Sequence, residues 1–146
     1  MSKEIKVQYT ASATSEGGRH GQVKSSDGAI NLSTTEPREL GGDGAQGKTN
    51  PEQLFAAGYA ACFSSAAKLA AETLGLKLED DALKVTCHVS LGKDPQDNGF
   101  GLKVKMEMQA DGLEEEAKQR LIKKTNEICP YSKAIKGNVE VDLVTK

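Results

Sequence analysis

Tryptophan is absent from this chain, aromatic residues make up only 4% of it, and cysteine occurs three times in 146 residues. Few aromatics leave little with which to stack unpaired bases. A formal net charge of −2 offers no basic field for a phosphate backbone or an anionic lipid surface. Neither nucleic acid nor a membrane is therefore expected as a partner. The N-terminal MSKEIKVQYTASA lacks the apolar run of a signal peptide, and no segment is expected to reach the length of a membrane-spanning helix. A low, odd cysteine count without a secretory leader points to a reducing, cytoplasmic compartment, where a disulfide is more often transient and catalytic than structural. Motif absences narrow the chemistry further. No CxxC or HxxxH spacing exists, so neither a thioredoxin-type site nor a zinc site is supported. The GxSxG elbow of a serine hydrolase is missing too. No metal and no cofactor are called for.

What remains is ordinary globular material, 37% hydrophobic and 27% charged, read as one domain over residues 1–146. The first third reads as short strands, with partial alternation in EIKVQYTASA and Gly-Gly and Asp-Gly turn signals after it. The glycine-rich STTEPRELGGDGAQGKT reads as a surface loop. A helix is expected from about Pro51 to Leu74. Asn50 is a good N-cap, Pro51 suits the first position, Gln53 can close a capping box, and Gly75 ends it. Along it Leu54, Gly58, Cys62, Ala66, Leu69 and Thr73 form one stripe on a body of alanines slim enough for close packing at the centre of the fold. Two alternating strands follow, the first with Val85, Cys87, Val89 and Leu91 on one of its faces, the second with Leu102, Val104, Met106 and Met108 on one of its faces, joined antiparallel through DPQDNG. A second helix is expected from near Asp111 with Glu114 in a capping box, carrying Leu113, Ala117, Leu121 and Ile128 inward. A last strand alternates Val139, Val141 and Leu143. This order of strands, helix, strands, helices and strand is α+β.

The three cysteines read differently. Cys87 alternates with valines, where a buried thiol acts as a small hydrophobe, and its neighbour His88 should face the other way. Cys62 sits in AACFSSAAKLAA, a small-residue wall that leaves room for a ligand. Cys129 stands before Pro130 at the start of a short helix, where the free N–H groups and dipole stabilise a thiolate. Cys62 and Cys129 are two unrelated core residues or the halves of a redox pair; spacing alone leaves both readings open. Arg19, after Gly17 and Gly18, reads as a solvated loop residue, and Glu52 as a first-turn carboxylate facing the helix dipole.

Two runs, TNPEQLFAAGYAACFSSA and CPYSKAIKGNVEV, together with ATSEGGRHGQVKSSDG and PRELGG, closely resemble the organic hydroperoxide resistance proteins, the Ohr branch of the Ohr/OsmC family. The likeness covers essentially the whole chain. It implies an α+β fold with antiparallel sheets wrapped around central helices in an intertwined homodimer. It further implies a thiol peroxidase in which Cys62 is the peroxidatic and Cys129 the resolving cysteine. Arg19 would hold the thiolate and polarise the peroxide, with Glu52 orienting Arg19. The implied substrates are organic and fatty-acid hydroperoxides, and the implied reductant is a lipoylated protein or dihydrolipoamide. The apolar tail would lie against Leu54, Phe55, Phe63 and the strand faces. Two alternatives stand beside this: an OsmC-type peroxidase of different substrate preference, and a non-enzymatic redox sensor using the same disulfide.

Overall fold

The computed structural model describes residues 3–146. The chain divides into two compact units, residues 1–51 and 52–146, described in turn.

The first unit carries a three-stranded antiparallel sheet of β1 (Ala13–Glu16), β2 (Gln22–Ser25) and β3 (Asn31–Ser33), with Val23 opposite Ser15 and Leu32. Asp27 shapes the β2–β3 turn: its carboxylate accepts from the Ser25 hydroxyl at 2.7 Å and the Ala29 amide at 3.0 Å. The loop read from STTEPRELGGDGAQGKT contains one short 3₁₀ turn, Arg38–Leu40. It is internally braced, the Thr35 hydroxyl donating to Asp43 at 2.5 Å and the Thr35 amide to the Thr49 carbonyl at 2.9 Å. The strand expected in EIKVQYTASA is realised only from Ala13 onward. No strand is assigned to residues 3–12, and Ile5, Val7 and Tyr9 are 67%, 74% and 82% exposed. Alternation alone does not make a strand; its backbone groups need a partner edge.

The second unit is built on α1 (Pro51–Thr73). The helix ends as its sequence requires. Gly75 takes φ +69°, and the Leu76 amide reaches back to Ala71 (2.8 Å) while the Gly75 amide reaches Glu72 (3.1 Å), closing a Schellman motif. Its buried face is Tyr59, Phe63, Ala66, Ala67, Ala70 and Ala71, rotated from the expected stripe, and Leu69 is 56% exposed. Alanine on every side had erased the contrast that periodicity reads. Contrary to the sequence reading, α1 is long and apolar enough by composition to cross a membrane, a test that core helices of ordinary proteins also pass.

The sheet of this unit has the order β4 (Leu83–Lys93), β5 (Phe100–Ala110), β6 (Val141–Thr145). β4 and β5 are antiparallel with Val85 opposite Met108, Cys87 opposite Met106, Val89 opposite Val104 and Leu91 opposite Leu102, the inward set expected from alternation. His88 lies on the other face, 3.5 Å from the Glu107 carboxylate. β6 joins β5 in parallel, which requires a crossover. That crossover is α2 (Glu115–Ile128) and α3 (Pro130–Ile135). α2 begins later than expected, because Asp111–Gly112 forms a turn with Gly112 at φ +90°, and Glu114 is itself the N-cap with no side-chain capping bond. Tyr59, Phe63, Met106, Met108, Leu121 and Cys129 are fully buried in one core. Each large apolar side chain there contributes about 1.5–3 kcal/mol relative to exposure.

Candidate active site

The dipeptide Cys129-Pro130 decides the local geometry. Proline cannot continue α2, and it pushes the residue before it toward an extended conformation. Cys129 obeys, at φ −63° and ψ 122°, and so is at once the C-cap of α2 and the N-cap of α3. Its amide donates to the Thr125 carbonyl and its carbonyl accepts from the Lys133 amide, each at 2.9 Å. Pro130 occupies the first position of α3, where a missing N–H costs nothing.

That junction lies against α1. The Cys129 thiol donates toward the Cys62 sulfur at 3.7 Å, with Cys129 fully buried, Cys62 partly buried and both thiols free. Two cysteines 67 positions apart are thus adjacent, with no bond between them. The two sulfurs are neighbours in space, on the margin of the core cluster that holds Cys129. Burial is the main influence on Cys62 and raises its pKa; the Tyr131 amide donates to the sulfur and lowers it, while the neighbouring Cys129 raises it. The free amide at the start of α3 therefore serves Cys62 directly, not only the cysteine that precedes the helix.

Around the sulfurs, Tyr59 is flanked on α1 by Phe55 and Phe63 in edge contacts at 6.1 and 6.3 Å, and its ring lies 5.7 Å from that of Tyr131. Its hydroxyl is 2.6 Å from that of Ser132. Phe63, expected to line a substrate wall, is fully buried core, whereas Phe55 and Leu54 are partly exposed and Tyr131 is 41% exposed. Gly58 gives Tyr131 its space, since a Cβ there would stand 2.9 Å from the Tyr131 hydroxyl oxygen. Sequence reading had singled out neither Tyr59 nor Ser132. The signal was present as a Tyr three residues before one cysteine and a Ser three residues after the other.

Arg19 sits in the first unit, partly buried, on the 3₁₀ turn Gly18–His20 between β1 and β2. Buried Thr34 braces this turn: its hydroxyl accepts from the Gly21 amide at 2.9 Å and donates to the Gly18 carbonyl at 2.6 Å. Gly21 is obligatory, because a Cβ would fall 1.8 Å from the Glu16 carbonyl oxygen. Glu52 is in the first turn of α1, partly buried. Both Arg19 and Glu52 are engaged with other groups. α1 runs unbroken through Gly58, so ten residues of rise separate Glu52 from Cys62, roughly 15 Å along the axis.

A profile of the family described as OsmC-like protein matches residues 42–144. The chain belongs to the OsmC-like family. Within it the chain is similar to proteins named organic hydroperoxide resistance proteins. The protein of that name from Xanthomonas axonopodis pv. citri is 46% identical over 98% of each chain. The protein OhrA of Bacillus subtilis is 44% identical over 92% of this chain and 94% of its own. A crystal structure of an organic hydroperoxide resistance protein from Legionella pneumophila superposes with a TM-score of 0.88 at 47% identity, covering 97% of this chain and 99% of that one. The α+β architecture of two small sheets and three helices is the fold of this family.

Proposed function

We propose that this chain is a cysteine-based peroxidase that reduces organic hydroperoxides, fatty-acid hydroperoxides among them, to alcohols, and so confers organic hydroperoxide resistance. One observation carries the reading: two free thiols 3.7 Å apart, one partly exposed and one fully buried, at a helix start that donates an amide to the exposed one. The names of the relatives point the same way. Cys62 as thiolate attacks the distal peroxide oxygen; an S–O bond forms, the O–O bond breaks, and the alkoxide leaves as the alcohol after taking a proton. Cys62 is then a sulfenic acid. Cys129 displaces its oxygen as water and the disulfide forms. A lipoyl dithiol, free as dihydrolipoamide or carried on a protein, returns two electrons by exchange. Arg19 supplies the cation that keeps Cys62 ionised, and Glu52 orients Arg19 through a planar two-point ion pair.

The same reading takes residues 1–146 as one domain, working as a homodimer in the reducing cytoplasm. Exposed Ile5, Val7 and Tyr9 alternate as a strand awaiting an edge, and exposed Ala57, Ala61 and Ser65 leave one side of α1 open to close approach. Phe55 and Tyr131, on either side of Tyr59, offer apolar surface for a lipid-like tail. The test is turnover of the reduced protein with dihydrolipoamide on tert-butyl hydroperoxide, a fatty-acid hydroperoxide and hydrogen peroxide. Multiple turnovers with the organic peroxides preferred are expected. A single stoichiometric oxidation without turnover would overturn the reading in favour of a redox sensor.

A further inference from the structure

The sulfur pair is not the only link between α1 and the Cys129 junction. Tyr59 Oη and Ser132 Oγ form a buried hydrogen bond of 2.6 Å, with Tyr59 fully buried and Ser132 5% exposed. Tyr59 stands three residues before Cys62 on α1, and Ser132 stands three residues after Cys129 on α3. On a helix, residues three apart share a face. The hydroxyl pair and the thiol pair therefore join the same two segments one turn apart. α3 has only six residues, far fewer than a helix needs to persist by itself. Its position is held by tertiary ties, and this hydrogen bond is a buried one.

We infer that Tyr59 and Ser132 form a latch that holds Cys129 within reach of the Cys62 sulfenic acid, making both positioning residues for the resolving step. The inference rests on the peroxidase reading above. Two reactions compete for the sulfenic acid. In one, the Cys129 sulfur attacks Cys62, an S–S bond forms, the S–O bond breaks, and the oxygen leaves as water with the Cys129 proton. In the other, a second hydroperoxide is reduced to its alcohol and Cys62 is oxidised to a sulfinic acid. The first is intramolecular, and its rate follows the fraction of time the two sulfurs spend together. They must close from 3.7 Å to about 2.05 Å. The second depends on peroxide concentration and not on α3. Loosening the latch slows only the first. The burial that raises the Tyr59 pKa keeps its hydroxyl protonated, in the form able to donate or accept.

The experiment compares full-length wild type, Tyr59→Phe, Ser132→Ala, the double variant and Ser132→Thr. Each is pre-reduced and exposed to graded tert-butyl hydroperoxide, and mass spectrometry reads disulfide against Cys62 sulfinic acid. Tyr59→Phe and Ser132→Ala are expected to reach equal partition at about tenfold lower peroxide than wild type, the order expected for one buried hydrogen bond. The double variant should be no worse than either single, because both remove the same bond. Ser132→Thr keeps the hydroxyl and should stay near wild type. Ser132→Ala removes a single oxygen and leaves the rings in place, so it decides the matter even where Tyr59→Phe fails to fold. Unshifted partition in Ser132→Ala, or two singles whose effects add in the double, overturns the latch. Failure of wild-type Cys62 to be oxidised at all would instead overturn the peroxidase reading.

Discussion

At Cys62, burial and a helix-start amide pull in opposite directions, and burial is the larger influence. A thiol whose pKa is raised reacts slowly near neutral pH, because only the thiolate is nucleophilic. The proposed peroxidase thus needs a further positive charge, the role assigned to Arg19. In Arg19→Ala, the pH-dependence of Cys62 alkylation by iodoacetamide should move to higher pH, since a cation favours the charged form. Arg19→Lys should restore only part of the shift, lacking the planar fork. An alkylation profile that stays in place in Arg19→Ala would remove Arg19 from the site. Cys62→Ser should abolish peroxide reduction, whereas Cys129→Ser should react once and then accumulate over-oxidised Cys62; wild-type turnover in Cys62→Ser would sink the assignment. Cys87 differs from both. Burial alone pushes its pKa up to about 11 from the ordinary 9.0. An acid whose folded pKa is raised costs no stability below its unfolded value. Above about pH 9 the unfolded chain ionises first, so stability falls until the folded pKa is passed. Between pH 8.5 and 10.5 the wild type should therefore lose more thermal stability than Cys87→Val, which has no proton there; equal losses would contradict the burial-driven shift.

At the scale of elements, helix ends carry the most direct code. Gly75 sits at φ +69° to close α1, and an alanine forced into that region costs about 1–2 kcal/mol. Gly75→Ala should lose that much in urea denaturation at fixed protein concentration. Gly92→Ala, with open space around its added Cβ and no positive φ, should change stability by less than about 0.5 kcal/mol. No difference between the two would mean that the αL cap is not strained. Such features were legible in the sequence because they are local: the start of α1 at Pro51, its stop at Gly75, the Cys129-Pro130 junction and the facing rows of β4 and β5. The buried face of α1 was not legible, since alanine surrounds the helix and only Tyr59 and Phe63, not a period, mark its inner side. The start of α2 was misread because an acidic capping pattern said nothing of the turn at Gly112. The hydroxyl pair joins residues 73 positions apart, and no local pattern announces such a bond. The cysteine pair was visible through the family resemblance, while its spacing left both readings open.

At the scale of the whole molecule, the unbroken course of α1 poses a definite problem. A break at Gly58 would have let Glu52 fold back toward its own Cys62, but the helix continues from Pro51 to Thr73. With roughly 15 Å of helix between them, the Glu52 carboxylate cannot stand beside the Cys62 thiol of the same chain. Either Glu52 has no part in the peroxide site, or it is supplied by a second copy. The exposed side of α1 favours the second copy: Ala57, Ala61 and Ser65 succeed one another at one-turn spacing, followed by exposed Leu69. Small residues let two helices cross closely, and an uncovered leucine gains from being covered. In such a homodimer each site needs Cys62 from one chain and Glu52 from the other, so neither chain alone is competent. Arg19, as the partner of Glu52, would come from that same second chain. Complementation reads this directly. Cys62→Ser and Glu52→Ala are each expected to be nearly inactive as homodimers. After subunit exchange, half of a random mixture is heterodimer, and each heterodimer holds one site with both residues intact. Activity should therefore recover to about one quarter of wild type, on the random-pairing arithmetic of a twofold assembly. Exchange demonstrated by mass spectrometry without any recovery, or full activity from an isolated monomer, would rule out the shared site and return Glu52 to the ordinary role of a carboxylate at a helix start.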